Sequence, residues 1–471
     1  MTEGFDLIVI GAGSAGLTAA GGVAMFGLKV ALIEAGEMGG ECLNSGCIPS
    51  KALVAVANAA QATRDAARFG IVASPAIDWD GVRKYIDGAI NAIAPHDSQE
   101  RFEKMGIEVI RASARFLDGK TVAAGNRRLT APRIVIATGS KPAIAPIDGL
   151  DKVPYLSNES IFSLEVLPEH LIVLGGGAVG IEMAQAFRRL GAAVTVIEPD
   201  DLLARDDAEA ADVVIAQLRS EGVVFEVGRR ATHIRAAQAA ISVTLDDDRE
   251  LVGSHLLVAV GRSANISDLH LAAAGIEADF DGIKVDARRR TANRRIYAIG
   301  DCRAGPRFTH AAGYEGALVS VDIALGWPGR ADWRVLPHVT FCDPEIAQIG
   351  LTEAEARNRH GKVDVIKQAF SENDRAVTEG DTRGFLKLIR QRGKVVGVTI
   401  VGAHAGELLL PWAQIITGKV STFALGSAII AYPTRSEISK ATAFALHAPF
   451  VFGAWPRRWA AMMAMARRWR A

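Results

Sequence analysis

Two stretches decide the fold, LIVIGAGSAG at residues 7–16 and LIVLGGGAVG at residues 171–180. Each is an apolar run that stops at glycine and passes into small residues, which reads as a buried strand, a tight turn and the opening of a helix. A second apolar run follows each helix and ends in an acid, Glu34 in the first unit and Glu198 in the second. The spacing repeats too: 23 residues separate Gly11 from Glu34, and 23 separate Gly175 from Glu198. One such glycine motif is weak evidence, since glycine-rich turns occur in many α/β proteins. Two copies with matched acids predict two dinucleotide sites. Gly11 and Gly175 would make the tight turn, Gly13 and Gly177 would let backbone approach a pyrophosphate, and Gly16 and Gly180 would let helix and strand pack closely. The phosphates would rest on the helix N-terminus, where unpaired N–H groups and the dipole favour anions. Glu34 and Glu198 would accept hydrogen bonds from an adenosine ribose.

Around these units the chain runs to 471 residues, more than the roughly 250–300 at which a single core stops growing, so two to four domains are expected. Lys141–Pro154, with Pro142, Pro146 and Pro154, reads as a connection and sets a boundary near residue 150. Beyond about residue 335, β-like stretches such as GFLKLI and VVGVTIVG alternate with helical patterns, which predicts a separate α+β domain. Hydrophobic residues make up 49% and charged residues 23%, a well-packed globular composition. Lys+Arg and Asp+Glu both total 53, so no net field would draw in nucleic acid. The N-terminus MTEGFDLIVIGAG enters a strand pattern at once, without the features of a signal peptide, and no apolar run reaches the ~20 residues of a membrane span. Four cysteines suit a reducing compartment, and the expected location is cytoplasmic.

The segment GGECLNSGCIPSK, residues 39–51, follows the first acid directly and would lie beside the first nucleotide. Cys42 and Cys47 could close into a disulfide if the backbone brings them together. Half of a metal site and two buried thiols are the other readings, although a metal site needs further ligands and there is no second cysteine pair.

With this segment on the page, the chain resembles the class I flavoprotein disulfide reductases, the family of dihydrolipoamide dehydrogenase, glutathione reductase and mercuric reductase. The resemblance covers nearly the whole chain. ATGS (137–140, with Gly139) is similar to the family's crossover segment, VGRSAN (260–265, with Gly261) to its GRxPN element, and TANRRIYAIGD (291–301) to its second FAD motif, ending in Asp301. PHVTFCDPEIAQIGLTE (337–353) and FSENDRAVTEGDTRGFLKLI (370–389) resemble the start of its dimerisation domain.

The resemblance implies an α/β fold of two Rossmann-like domains and a C-terminal α+β domain. An FAD domain would span 1–150 and 276–330, an NAD(P) domain 151–275, a dimerisation domain 335–450, and a basic tail 451–471. It implies a homodimer and a redox-active disulfide in which Cys47 faces the flavin and Cys42 attacks the substrate. Lys51 would partner the flavin and Glu182; a cation there would stabilise a reduced flavin and lower a thiol pKa. Electrons would pass from NADH through FAD to the disulfide. Glu198 should repel the 2′-phosphate of NADPH, which makes NADH the expected cofactor, with compensation by Arg205, seven residues on, as the alternative that would admit NADPH.

One element departs from the family. Its disulfide-reducing members end in His-Pro-Thr…Glu, the histidine serving as acid–base for the interchange thiol of the partner subunit; here Tyr432 precedes Pro433 and Thr434, with Glu437 retained. A phenol titrates near 10, an imidazole near 6.5, so the proton shuttle of disulfide exchange is put in doubt. Mercuric reductases share that tyrosine but carry a C-terminal cysteine pair, whereas no cysteine follows Cys342 here. The expected acceptor is a thiol-reactive metal ion or small disulfide, with a dihydrolipoamide-dehydrogenase-like activity and a low-turnover membrane-associated redox sensor as the rivals. Cys302 and Cys342 read as buried small residues and His404 as structural, while His310, in a segment similar to the one that runs under the flavin in the family, reads equally as packing or as a residue with a role. In the tail, Trp455, Trp459, Met462, Ala466 and Trp469 follow helical spacing among Arg457, Arg458, Arg467, Arg468 and Arg470. Peripheral membrane contact through residues 454–471, docking on the protein's own dimer and a disordered tail are the readings open there.

Overall fold

Leu7–Ile10 (β1) is buried at all four positions, as a strand covered on both faces requires. It is followed by Ser14–Ala24 (α1), Val30–Glu34 (β2), Gly40–Asn44 (α2) and Cys47–Asp65 (α3). In the computed structural model, which describes residues 2–238 and 240–470, β1 is the centre of a five-stranded parallel sheet. Its neighbours are β2 and then Glu108–Arg111 (β3) on one side, and Arg133–Ile136 (β4) and then Ile296–Ala298 on the other. Strand alternation divides the core: Ile8, Ile10, Ile33 and Ile136 face one cluster, while Leu7, Val9, Leu32 and Val135 face another that includes α1. Helix α1 is almost all small residues and packs along Thr309–Leu325.

The second unit repeats the first. His170–Leu174 (β5), Ala178–Leu190 (α4) and Ala193–Glu198 (β6) form a βαβ turn in a four-stranded parallel sheet completed by Val224–Val227 and His255–Val258. Leu7 lies opposite Val30 and His170 opposite Ala193, the same register offset in both copies. The chain leaves the first sheet and returns to it along one antiparallel ribbon, Ser140–Pro142 paired with Arg262–Ala264.

By compactness the chain forms two bodies, residues 1–201 with 221–332 and residues 202–220 with 333–471. The second holds a five-stranded antiparallel sheet in the order Pro337–Thr340, Glu345–Gly350, Lys394–Gly402, Phe385–Gln391, Asp364–Ala369. Its core surrounds the fully buried Trp412 and includes Ile438 and Ala443 of Glu437–Ala445 (α5). Residues 202–220 belong to it, and there the buried Lys387 ammonium donates to both oxygens of Asp207, at 2.8 and 3.0 Å. The α/β architecture with two dinucleotide-binding folds and an α+β dimerisation unit is the one expected from the sequence. The chain ends in Ala454–Arg470 (α6). Among the described residues no helix is long and apolar enough to cross a membrane.

Candidate active site

The two glycine loops share their first and third contacts. Gly11 and Gly175 hold φ of 105° and 109°, a region that side chains rarely adopt, and a Cβ at either would strike the carbonyl of Ala137 or Ala259. Gly16 and Gly180 each press on the carbonyl oxygen of that first glycine, so a methyl group at either would collide with backbone. Gly13 and Gly177 are the extended N-caps of α1 and α4, and neither helix has a side-chain cap. Their first-turn amides are thus available to an anion, as a bound pyrophosphate requires.

The acids serve these loops in a way that spacing does not reveal. Glu34 accepts from the amides of Ala12 at 2.5 Å and Gly36 at 2.7 Å. Glu198 accepts from Gly176 at 2.6 Å and Asp200 at 3.0 Å. Each carboxylate pins its own glycine turn.

The cysteines lie where α2 gives way to α3. Cys42 is on α2, and Cys47 is the first residue of the 19-residue α3, where the helix dipole favours a thiolate. No disulfide joins them in this structure. A hydrogen bond from the Cys42 thiol, then the Thr309 hydroxyl and the Lys51 charge, lower the Cys47 pKa to about 6 against the opposing effect of burial. Thr309 Oγ1 is 3.2 Å from the Cys47 sulfur. The same thiol–thiolate bond, reinforced by burial, pushes Cys42 upward. The pair is therefore electronically divided, with Cys47 the thiolate and Cys42 the thiol. Lys51 Nζ donates to Glu182 at 2.7 Å, Glu182 lying buried on α4.

A group that sequence reading did not single out holds the cysteine loop. Arg262 donates through both terminal nitrogens to Glu41, the residue before Cys42, with Nη1 at 2.6 Å from Oε1. Asn158 donates to the same carboxylate at 2.6 Å and to the carbonyl of Ser45, between the cysteines, at 3.3 Å. Arg262 also donates to Ser140 Oγ at 2.7 Å, and Ser140 donates to Asp301 at 2.8 Å. Burial raises the Glu41 pKa and Arg262 opposes that shift. Gly139 and Gly261, at φ of 70° and 126°, turn the chain just before the two strands that carry Ser140 and Arg262. Arg262, Ser140, Glu41 and Asp301 all lie inside motifs legible in the sequence, and Thr309 beside His310; what no local signal marks is that they meet, which the fold brings about. His310 is exposed and stacks on Phe308. Cys302 is buried, its thiol pushed up to about 12 by burial, and Cys342 is buried as well.

In the second body, Tyr432 is exposed and its hydroxyl donates to Asp374 at 2.8 Å, which raises the phenol pKa above its ordinary value. Glu437 opens α5 and accepts from the Thr434 amide at 3.2 Å. Asp374 and Glu437 line one cavity of about 450 Å³ together with Glu372, Lys440 and Phe444.

Comparison with known proteins follows this geometry. The profile of a family described as pyridine nucleotide-disulphide oxidoreductase matches residues 5–316, and that of its dimerisation domain matches residues 336–443. The chain is 35% identical over 454 residues to a mercuric reductase of Streptomyces lividans, covering 93% of this chain and 96% of that one. It is 36% identical over 461 residues to a dihydrolipoyl dehydrogenase of Thermus scotoductus, covering 94% and 97%. Among solved structures, a Cu(II) complex of the HOCl-induced flavoprotein disulfide reductase RclA from Escherichia coli superimposes with a TM-score of 0.84 at 27% identity, covering 92% and 98%. LpdA of Mycobacterium tuberculosis gives 0.86 at 28%, covering 93% and 99%.

Proposed function

Since this chain belongs to the pyridine nucleotide-disulphide oxidoreductases, FAD-containing enzymes with a dimerisation domain that supports a homodimer, we propose that it carries electrons from NADH through Cys42 and Cys47 to a thiol-reactive metal cation. The uncapped helix N-termini at Gly13 and Gly177 suit two dinucleotides. Gly11, Gly13, Gly16, Glu34, Gly139 and Asp301 would hold FAD, and Gly175, Gly177, Gly180, Glu198 and Gly261 the nicotinamide nucleotide. Bound FAD supplies the relay between a hydride donor and a disulfide.

The residues of this chain do the rest. Lys51, anchored by Glu182, places a positive charge beside Cys47 and stabilises it as a thiolate. Cys42 keeps its proton until it meets the acceptor, so it is the exchange thiol and Cys47 the electron-receiving one. One hydride equivalent converts the Cys42–Cys47 disulfide into the Cys42 thiol and the Cys47 thiolate. Passing those two electrons to one mercuric ion, or one each to two cupric ions, re-forms the disulfide and releases the single proton of Cys42.

The observation that carries the choice of acceptor is the Tyr432–Asp374 hydrogen bond. Disulfide exchange needs a group that gives and takes a proton near neutrality. A phenol whose proton is held by a carboxylate does neither, whereas reduction of a soft metal bound by two sulfurs needs no proton donor. The names of the mercuric reductase relative and of the copper complex of RclA agree with this reading. The retained Glu437 and the dihydrolipoyl dehydrogenase relative favour lipoamide as the second reading. For the nucleotide, the Glu198 carboxylate disfavours the extra phosphate of NADPH. NADH oxidation with mercuric ion, cupric ion, lipoamide and glutathione disulfide tests the proposal. Metal-dependent turnover should exceed disulfide-dependent turnover, and lipoamide turnover greater than that with either metal overturns it.

A further inference from the structure

The last helix has no role in the chemistry described above. The dimerisation profile stops at residue 443, and α6, Ala454–Arg470, lies wholly beyond it. Of its described side chains, all except Pro456 are exposed. Trp455, Trp459, Met462 and Trp469 are exposed by 73%, 52%, 48% and 93%, an unusual cost for large apolar groups left in water. They share one face by the spacing i, i+4, i+7, i+14, and the rings of Trp455 and Trp459 stack with centroids 6.1 Å apart. Arg457, Arg467 and Arg468 project from the other faces, and Arg458 borders the apolar stripe; the side chain of Arg470 lies outside the described residues. No acidic residue follows Glu437, although the whole chain has equal numbers of acids and bases. The positive charge is thus concentrated where the apolar face is.

We propose that α6 is an in-plane anchor for an anionic lipid surface. Charge and shape select this occupant. A helix with tryptophans on one face and arginines on the others places the indoles at the headgroup boundary and the guanidinium groups among lipid phosphates. Nucleic acid would leave the tryptophan and methionine face wet. Two copies of α6 packed by their apolar faces would bury the tryptophans but leave the arginines of both helices in water, with no acid on either helix to pair with them. The helix is not long and apolar enough to span a bilayer, so it lies on one. Because the anchor takes no part in the chemistry of the dithiol, its success or failure does not depend on which acceptor the enzyme reduces.

The test uses full-length FAD-loaded protein and two vesicle preparations, pure phosphatidylcholine and phosphatidylcholine with phosphatidylglycerol. The expected result is co-sedimentation with the anionic vesicles at least about tenfold above the neutral ones, falling as salt rises. Arg467→Glu with Arg468→Glu should remove the anionic preference, each lost positive charge weakening binding by about fivefold. Trp455→Ala with Trp459→Ala should reduce binding at all salt concentrations. Flavin content and NADH oxidation with a soluble acceptor should be unchanged in both variants, showing that they fold. Equal binding to both vesicles, binding to neither, or full binding by the charge-reversed variant overturns the proposal. So does a change in dimer mass in either variant, which would assign the helix to a second copy of the chain.

Discussion

The two nucleotide loops share glycine geometry, strand register and carboxylate bonding, yet their surroundings differ at one residue. Gly13 is approached by Gly40 of the cysteine segment, its notional Cβ only 3.9 Å from the Gly40 Cα, and a Cβ on Gly40 would sit 2.8 Å from the Gly13 Cα. Gly177, the matching residue of the second loop, has nothing within 4 Å. The first loop is roofed by the segment that carries the dithiol, while the second is open. A roofed site suits a resident cofactor that must stay against Cys47, and an open one suits a nucleotide that enters and leaves every cycle. The two copies thus differ at this residue: after β2 the chain turns back over its own loop through Gly40.

The largest expected effect lies under that roof. Cys47→Ser should abolish the long-wavelength thiolate-to-flavin absorption of the two-electron-reduced protein and lower dithiol-dependent turnover by about 10³-fold or more. Absorption spectra and steady-state rates check both. If the band survives, Cys47 is not the residue facing the flavin and the roof loses its meaning.

Next in size is an exchange of charge in the open loop. Glu198→Arg should shift the ratio of kcat/KM for NADH over NADPH by roughly 10²-fold toward NADPH, because a guanidinium pairs with the added phosphate. Glu34→Gln should leave that ratio unaltered and instead lower the flavin retained through gel filtration. An equal response of both properties to both variants would mean that the loops are not specialised.

Acidity should separate the two regions more gently. The Cys47 pKa is lowered, to about 6, so its thiolate is present above that value and is lost as pH falls through it. The thiolate-to-flavin band should fade by about tenfold per pH unit below the midpoint. The KM for NADH should stay level across the same range. A midpoint near the ordinary thiol value would show that Cys42, Thr309 and Lys51 do not stabilise the thiolate as their geometry indicates.

The smallest effect is expected at Gly177. Replacing it with alanine meets no protein atom and should raise the KM for NADH several-fold without loss of flavin, whereas Gly16→Ala drives a methyl group into the Gly11 carbonyl and should lower stability by about 1–3 kcal/mol. Thermal unfolding and flavin content distinguish them.

How much of this was legible beforehand follows from where each constraint resides. The loop glycines were readable because backbone sterics act over a few residues: Gly11 needs a positive φ and Gly16 must touch Gly11 whatever the rest of the chain does. The parallel sheets were readable because LIVI and LIVL are continuous apolar runs bounded by glycine, the pattern of strands covered on both faces. The cysteine pair stood out by its place just after Glu34, and the missing histidine at Tyr432 by resemblance alone.

The sequence by itself therefore determined the duplicated βαβ units, their glycine turns, the cysteine loop and the basic character of the tail, all of which depend on residues close together in the chain. Only the tertiary structure decided which partners meet across long separations. Glu41 and Arg262 are 221 residues apart, Cys47 and Thr309 are 262 apart, and Asp374 and Tyr432 are 58 apart, whereas the Lys51–Glu182 pair, 131 apart, was expected through the resemblance. None of those pairings leaves a periodic or compositional trace, because a hydrogen bond depends on distance in space and not on spacing in the chain. The division of the dithiol into one thiolate and one thiol follows from them. It arises from where α3 begins and from what α4 and the helix starting at Thr309 bring to that end, and no property of Cys42 or Cys47 alone contains it.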